Sequence, residues 1–248
     1  MAPSELAEPP VHEADADSVD WLDRDNGVRM PPRGEDLPYD DGEPLESTWH
    51  RDAMNMLIEN IKWWWRDRTD YFVGGNMFVY FSERRVFNKD FRGPDVFVSL
   101  GVTHNPLRKS WVTWEEDGHQ PDLIVEMISE STRDLDFGLK KELYARVLRT
   151  SEYYCVDPEL NHIDGWKLVE REYQPITPVD GLYPSEVLGA SIGWCNIAYH
   201  DPKYPRPHPR LFDANGKLIP IFAEAEKARA DEAEAELARL RAELATRS

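Results

Sequence analysis

Apolar positions first recur with a helical period after residue 46: Met54, Leu57, Ile58, Ile61, Trp64 and Trp65 fall on one stripe, behind Ser47 and Thr48 as candidate N-caps. The stripe predicts an amphipathic helix against a core, with His50 in its first turn and Trp63 its outward tryptophan. The period then shortens to two. Residues 71–73 and 77–81 read as strands around Gly74 and Gly75, and the segment GPDVFVSLGV as a turn and a strand with Asp95 at the start. Residues 103–120 are polar and read as a connection. Next comes the run Leu123, Ile124, Val125, Met127 and Ile128, whose length and branched residues favour a buried strand. Beyond a turn-like Ser129 to Thr132, Leu135, Leu139, Leu143 and Val147 recur every four residues and predict a helix, with Lys140 and Tyr144 on a neighbouring face.

The segment SEYYCVDPE reads as a strand, HIDGWKLV and EYQPITPV as a hairpin, and LYPSEVLGASIGW as a short element across the sheet. Prolines in DPKYPRPHPR exclude regular structure and predict a linker or clamp. The last 27 residues are almost all Ala, Glu, Arg and Leu, hence helical; Leu237, Leu240 and Leu244 extend a seam through Ala230 and Ala233 with coiled-coil spacing.

Composition sets the frame. With 248 residues, 41% of them hydrophobic, the chain can bury one principal core with appendages. The expected divisions are an acidic, mobile or loosely draped arm over residues 1–43, a main domain over 44–200, a proline-rich linker over 201–221 and a helix over 222–248. A net charge of -18 argues against broad adhesion to nucleic acid. The arm alone holds 13 acidic and three basic residues, so the middle is only mildly acidic and leaves room for a local basic surface. Two cysteines cannot form a four-thiolate zinc site and fit a reducing compartment. No signal-peptide pattern or membrane-length apolar run is visible, so the expectation is a cytoplasmic protein without membrane contact.

Glu126 interrupts the apolar run at residues 123–128, and a carboxylate there must find a cation, a proton or hydrogen-bond donors. Metal-dependent phosphodiester hydrolysis needs carboxylates that hold a divalent cation and a group that orients water. Asp95, Glu126 and Lys140 supply that inventory, although Asp95 by itself reads as a turn residue after proline. Gly189 to Gly193 matches a nucleophile elbow only in letters, with Ala before Ser191 and no clear helix after it.

The segments GPDVFVS, PDLIVEMISESTRDLDFGLKKELY and SEYYCVDP together resemble the Uma2 family of endonucleases, a domain common in cyanobacteria within the PD-(D/E)XK nuclease superfamily, over roughly residues 46–180. The resemblance implies an α/β (α+β) fold: a restriction-endonuclease-like mixed sheet flanked by helices, here with a C-terminal helical or coiled-coil extension. It puts Asp95 in the superfamily's Pro-Asp position and Glu126 in its second acidic position. Where the superfamily has lysine this chain has Ile128, and Lys140 on the following helix matches the family's replacement. Glu46 or His50 matches a Ser-x-x-His region at the first helix, and Tyr144 is expected to hydrogen-bond near metal or phosphate.

The expected chemistry is Mg²⁺- or Mn²⁺-dependent cleavage of nucleic acid, DNA above all. Asp95, Glu126, the Met127 carbonyl and Glu46 serve the metal, and Lys140 orients water. Asp122 either approaches this site, since strand alternation puts it on the side of Glu126, or simply ends a turn. A homodimer would suit double-strand cleavage. The alternative is a catalytically silent scaffold or binding protein that oligomerises through its C-terminal helix.

Overall fold

The computed structural model describes residues 32–38, 47–82, 91–103, 105, 107–197 and 206–247. Helix α1 (Thr48–Trp64) starts where the sequence places it: Ser47 is extended, and its hydroxyl accepts from the His50 N–H. The apolar stripe faces inward, with Met54, Leu57, Ile61 and Trp65 buried. Trp63 and Trp64 both end half-buried against the same core.

The strands are β1 (Tyr71–Gly75), β2 (Val79–Tyr80), β3 (Val96–Leu100), β4 (Trp111–Val112), β5 (Leu123–Met127), β6 (Glu152–Asp157), β7 (His162–Val169), β8 (Glu172–Pro175), β9 (Tyr183–Ser185), β10 (Ala190–Ile197) and β11 (Arg206–Phe212). Six of them form the main sheet in the order β1-β3-β5-β6-β7-β8. Neighbours are antiparallel except β5 and β6. A parallel pair needs a crossover, and residues 133–148 provide it as helix α2. All five residues of β5 are buried, as expected of a strand covered on both faces.

One face of the sheet packs on α1 and on a three-stranded sheet of order β11-β10-β9. The other packs on α2 and the short parallel pair β2/β4, around Trp111, Tyr144 and Tyr153. This mixed sheet with helices on it is the expected fold class. Among the described residues no helix is long and apolar enough to cross a membrane.

Two expectations are corrected. The proline-rich segment is strand β11 from Arg206 onward, paired along its length with β10. It is an edge strand, and Pro207 and Pro209 occupy alternate positions whose missing N–H groups point away from β10, where no ladder bond is lost. The leucine stripe of α2 is not its packed face: Leu135, Leu139 and Val147 are exposed and only Leu143 is buried. The letter match at Gly189 to Gly193 runs from a turn into β10, with Ser191 paired to Phe212.

The C-terminal helix α3 (Phe222–Arg247) is fixed to the domain at its first turn. Arg210, fully buried, donates from Nε to Asn60 Oδ1 at 2.7 Å and from Nη2 to Glu224 Oε2 at 2.6 Å. The Asn60 amide donates in turn to the Ile219 and Pro220 carbonyls, and its oxygen also accepts from the Leu211 N–H. One buried asparagine thus joins α1, β11 and the entry to α3. Asn60→Leu leaves the Arg210 Nε, the Leu211 amide and the Pro220 carbonyl unpaired, while the Ile219 carbonyl keeps Arg210 Nη2, and we expect it to lower unfolding stability by about 3 kcal/mol. Urea denaturation checks this; a loss below about 1 kcal/mol contradicts the role given to Asn60.

Candidate active site

Glu126 sits next to last in β5, on the sheet face that α2 covers. Desolvation makes its position costly unless donors reach it. The Tyr144 hydroxyl donates to its Oε1 at 2.7 Å, Lys140 Nζ lies 3.2 Å from the same oxygen, and the Asp95 N–H approaches Oε2 at 3.4 Å. Asp95, at the mouth of β3, accepts from the Met127 N–H through Oδ2 at 2.6 Å, while its Oδ1 is 2.7 Å from His50 Nε2. Met127 therefore turns its N–H toward the β3 edge, and in an extended strand its carbonyl faces the same edge.

Helix α2 carries its functional side chains in one column because it is underwound. Turns at Asp136–Lys140 and Tyr144–Leu148 are π-helical, separated by an α-helical turn at Lys141–Leu143. A regular α-helix has 3.6 residues per turn, so positions four apart drift by about 40° at each step. Alternating wide and normal turns cancels that drift. Asp136, Lys140, Tyr144 and Leu148 thereby all face inward, and the exposed leucines form the adjacent column. The helix stops at Arg149, in the left-handed region at φ 56°.

Asp136 is the residue that sequence reading missed. It is 1% exposed, with Oδ1 2.7 Å from Lys140 Nζ, so the ammonium is held between Asp136 and Glu126. Its only sequence signal was its place four residues before Lys140.

Charge is out of balance here. Burial, reinforced by the Asp95 and Asp136 carboxylates, outweighs Lys140 and pushes the Glu126 carboxyl up to about 7. Burial likewise raises Asp136 against the opposing pull of Lys140. For Lys140 burial acts downward, but the Glu126 and Asp136 carboxylates together hold it above the ordinary lysine value. Burial and the Glu126 charge hold the Tyr144 hydroxyl protonated, which keeps it a donor.

Asp95, Glu126, Met127, His50, Lys140 and Tyr144 thus meet at one rim of the sheet. Asp122 does not. It precedes β5 at the opposite end, where its Oδ2 accepts from the Leu100 N–H at 2.7 Å, and four residues of strand put about 13 Å between it and Glu126. Strand alternation carries no information about that distance. Glu46 lies outside the described residues. Among the described residues no group of three or more His, Cys, Asp or Glu is arranged to hold a metal ion. The donors present still fit a hard divalent cation in kind: two carboxylates on adjacent strands, a backbone carbonyl on the shared edge, and three buried acids around a single lysine.

A carboxylate pair at the ends of adjacent central strands, backed by a lysine from the crossover helix, is an arrangement suited to phosphodiester hydrolysis. The chain belongs to the Uma2 family, whose model, described as "Putative restriction endonuclease", matches residues 25–195. Among solved structures it is similar to "a putative nuclease belonging to DUF820" from Anabaena variabilis ATCC 29413, with 14% identity, a TM-score of 0.44, and coverage of 60% of this chain and 81% of that one. No curated protein matches the chain.

The raised Glu126 carboxyl sets a pH dependence. The folded protein keeps this proton up to about pH 7, while the unfolded chain releases it near 4.5. The resulting stabilisation is full below the lower value and is lost as pH rises through the upper one. Relative to Glu126→Gln, the wild type should therefore lose on the order of 2 kcal/mol between about pH 5 and 7.5. Parallel stability curves for the two proteins, measured by urea unfolding across that range, would contradict the assignment.

Proposed function

We propose that the protein is a metal-dependent endonuclease acting on nucleic acid, with DNA as the substrate and Mg²⁺ or Mn²⁺ as the cofactor. The observation that carries this reading is the convergence of Asp95, Glu126 and Lys140 in one buried, hydrogen-bonded cluster. Asp95, Glu126 and the Met127 carbonyl would hold the ion, which when bound polarises the scissile phosphate and lowers the pKa of a water.

The protein's own groups do the rest. Lys140 presents a positive charge to the developing charge on phosphate and holds the attacking water. Asp136, one turn away, is its positioning residue: it fixes the ammonium against Glu126 and keeps it charged. Tyr144 fixes one Glu126 oxygen by donating to it, and His50 does the same for Asp95, held in place by the Ser47 cap. In this reading the nuclease unit spans residues 44–200 with β11 packed on it, the location is cytoplasmic, and a homodimer would deliver two cuts to a duplex.

A second reading is a nuclease-fold scaffold that associates through α3. It is favoured by the exposure of Leu237, Leu240 and Leu244 along that helix. Divalent-metal binding separates the two, because a scaffold has no need of a site for the ion.

Purified protein incubated with single-stranded and duplex DNA and RNA in Mg²⁺ or Mn²⁺ should cleave, with DNA preferred. Cleavage should vanish with EDTA and in Asp95→Ala and Glu126→Ala; cleavage retained by either variant would overturn the assignment. Lys140→Ala should reduce kcat by about 100-fold or more. Asp136→Asn removes the carboxylate that holds the Lys140 ammonium and also helps raise the Glu126 carboxyl, so its rate should fall and the acidic limb of its pH–rate profile should move to lower pH, with Asp136→Glu restoring part of both. A slower Asp136→Asn enzyme whose profile has not moved would make Asp136 merely structural.

A further inference from the structure

The open edge of the main sheet carries a second feature that the cleavage chemistry does not use. Strand β1 ends the six-stranded order, and among the described residues no strand pairs with its outer side. Between that edge and α1 runs a groove of about 700 Å³. Asn55, Lys62 and Arg66 line its helical wall, residues 71–75 its strand wall, and Arg108 and Phe222 also contribute. Its described lining contains three cationic side chains and no carboxylate, on a chain whose net charge is -18.

One end of the groove lies beside Asp95. At its upper end the Asn76 N–H donates to the Asp95 carbonyl at 3.1 Å, and a Cβ on Gly75 would come within 3.1 Å of that same oxygen. From there α1 runs from Asn55 to Trp64, about 14 Å at 1.5 Å per residue, with Arg66 in the turn beyond it, and β1 covers a similar length. Lys62 and Arg66 are exposed; the Arg66 guanidinium lies over the Trp63 ring, donates to the Trp63 carbonyl and stands 3.8 Å from the exposed Asp67 carboxylate. Arg108 is more committed, paired with Glu116 and stacked on Phe72 and Trp111. At the foot, Phe222 is 44% exposed and meets Trp63 edge to face.

We propose that this groove binds a single strand of nucleic acid leading away from the scissile phosphate. Lys62 and Arg66 contact its backbone, the N–H groups on the side of β1 away from β3, which pair with no strand among the described residues, offer further donors to phosphate, and Phe222 offers a ring for stacking. A basic track flanked by an aromatic side chain suits a strand whose bases are free better than a duplex, whose bases are already stacked. The proposal rests on the nuclease reading and adds to it where the substrate lies and that it is single-stranded at this point.

The test uses full-length protein carrying Glu126→Gln, so that binding is measured without cleavage, and a fluorescent mixed-sequence single-stranded oligonucleotide followed by anisotropy across a salt series. Adding Lys62→Glu and Arg66→Glu should weaken binding at least tenfold and reduce the slope of log K against log salt by about 1.4, as expected for two lost phosphate contacts. In the cleaving protein the same pair should lower kcat/KM through a higher KM. The charge-matched control Arg229→Glu with Arg239→Glu, both exposed on α3, should leave affinity within about twofold. Unchanged urea midpoints verify that both pairs fold.

If wild type cleaves and the groove variant binds and cleaves as the control does, the groove proposal is overturned while the nuclease reading stands. Equal binding of poly-glutamate at the same charge, lost in the groove variant, overturns it in favour of an acidic peptide. If neither oligonucleotide binding nor cleavage occurs in any form, the nuclease reading fails and the groove proposal with it.

Discussion

A carboxylate embedded in a fully buried central strand is the constraint from which the rest of this structure follows. Glu126 cannot be solvated, so its charge has to be met from within the fold. Tyr144 and Lys140 meet it from α2, and both can do so only because the helix is underwound enough to stack positions four apart. The parallel pairing of β5 with β6 fixes where that helix crosses, and hence which of its columns faces the strand. Across the rim, Asp95 ties β3 to β5 through the Met127 N–H and reaches the first turn of α1 through His50. Removing the cation would leave several buried acids facing one another, an arrangement whose cost makes sense as preparation for binding positive charge.

Much of this was legible in the sequence because the decisive signals are local. A short branched apolar run broken by one acid predicts a buried strand with a carboxylate that must find partners, and Ser47 before an amphipathic stripe predicts a capped helix start. The spacing of Lys140 and Tyr144 placed both on one face, which the structure turns toward Glu126. The family resemblance supplied the pairing of Asp95 with Glu126, a relation between separate strands that periodicity does not encode.

What stayed hidden depends on tertiary geometry. Asp136 looks like any acid in the first turns of a helix, and only the inward column reveals that it holds Lys140. The leucines of α2 suggest a packed stripe by composition, yet π-helical turns bring the neighbouring polar column inward. Prolines in β11 forbid a central strand but not an edge strand, and edge or centre is decided by topology. Asp122 shares the side of Glu126 by alternation, whereas its distance depends on counting residues along the strand.

In the proposed function Asp95 and Glu126 form a divalent-cation site at the rim of the sheet. A crystal grown with Mn²⁺ and measured near the manganese absorption edge tests it most directly. An anomalous peak between the Asp95 and Glu126 carboxylates, absent in Glu126→Gln, is the predicted result. No peak there, with Lys140 still seated against Glu126 at saturating Mn²⁺, would contradict it.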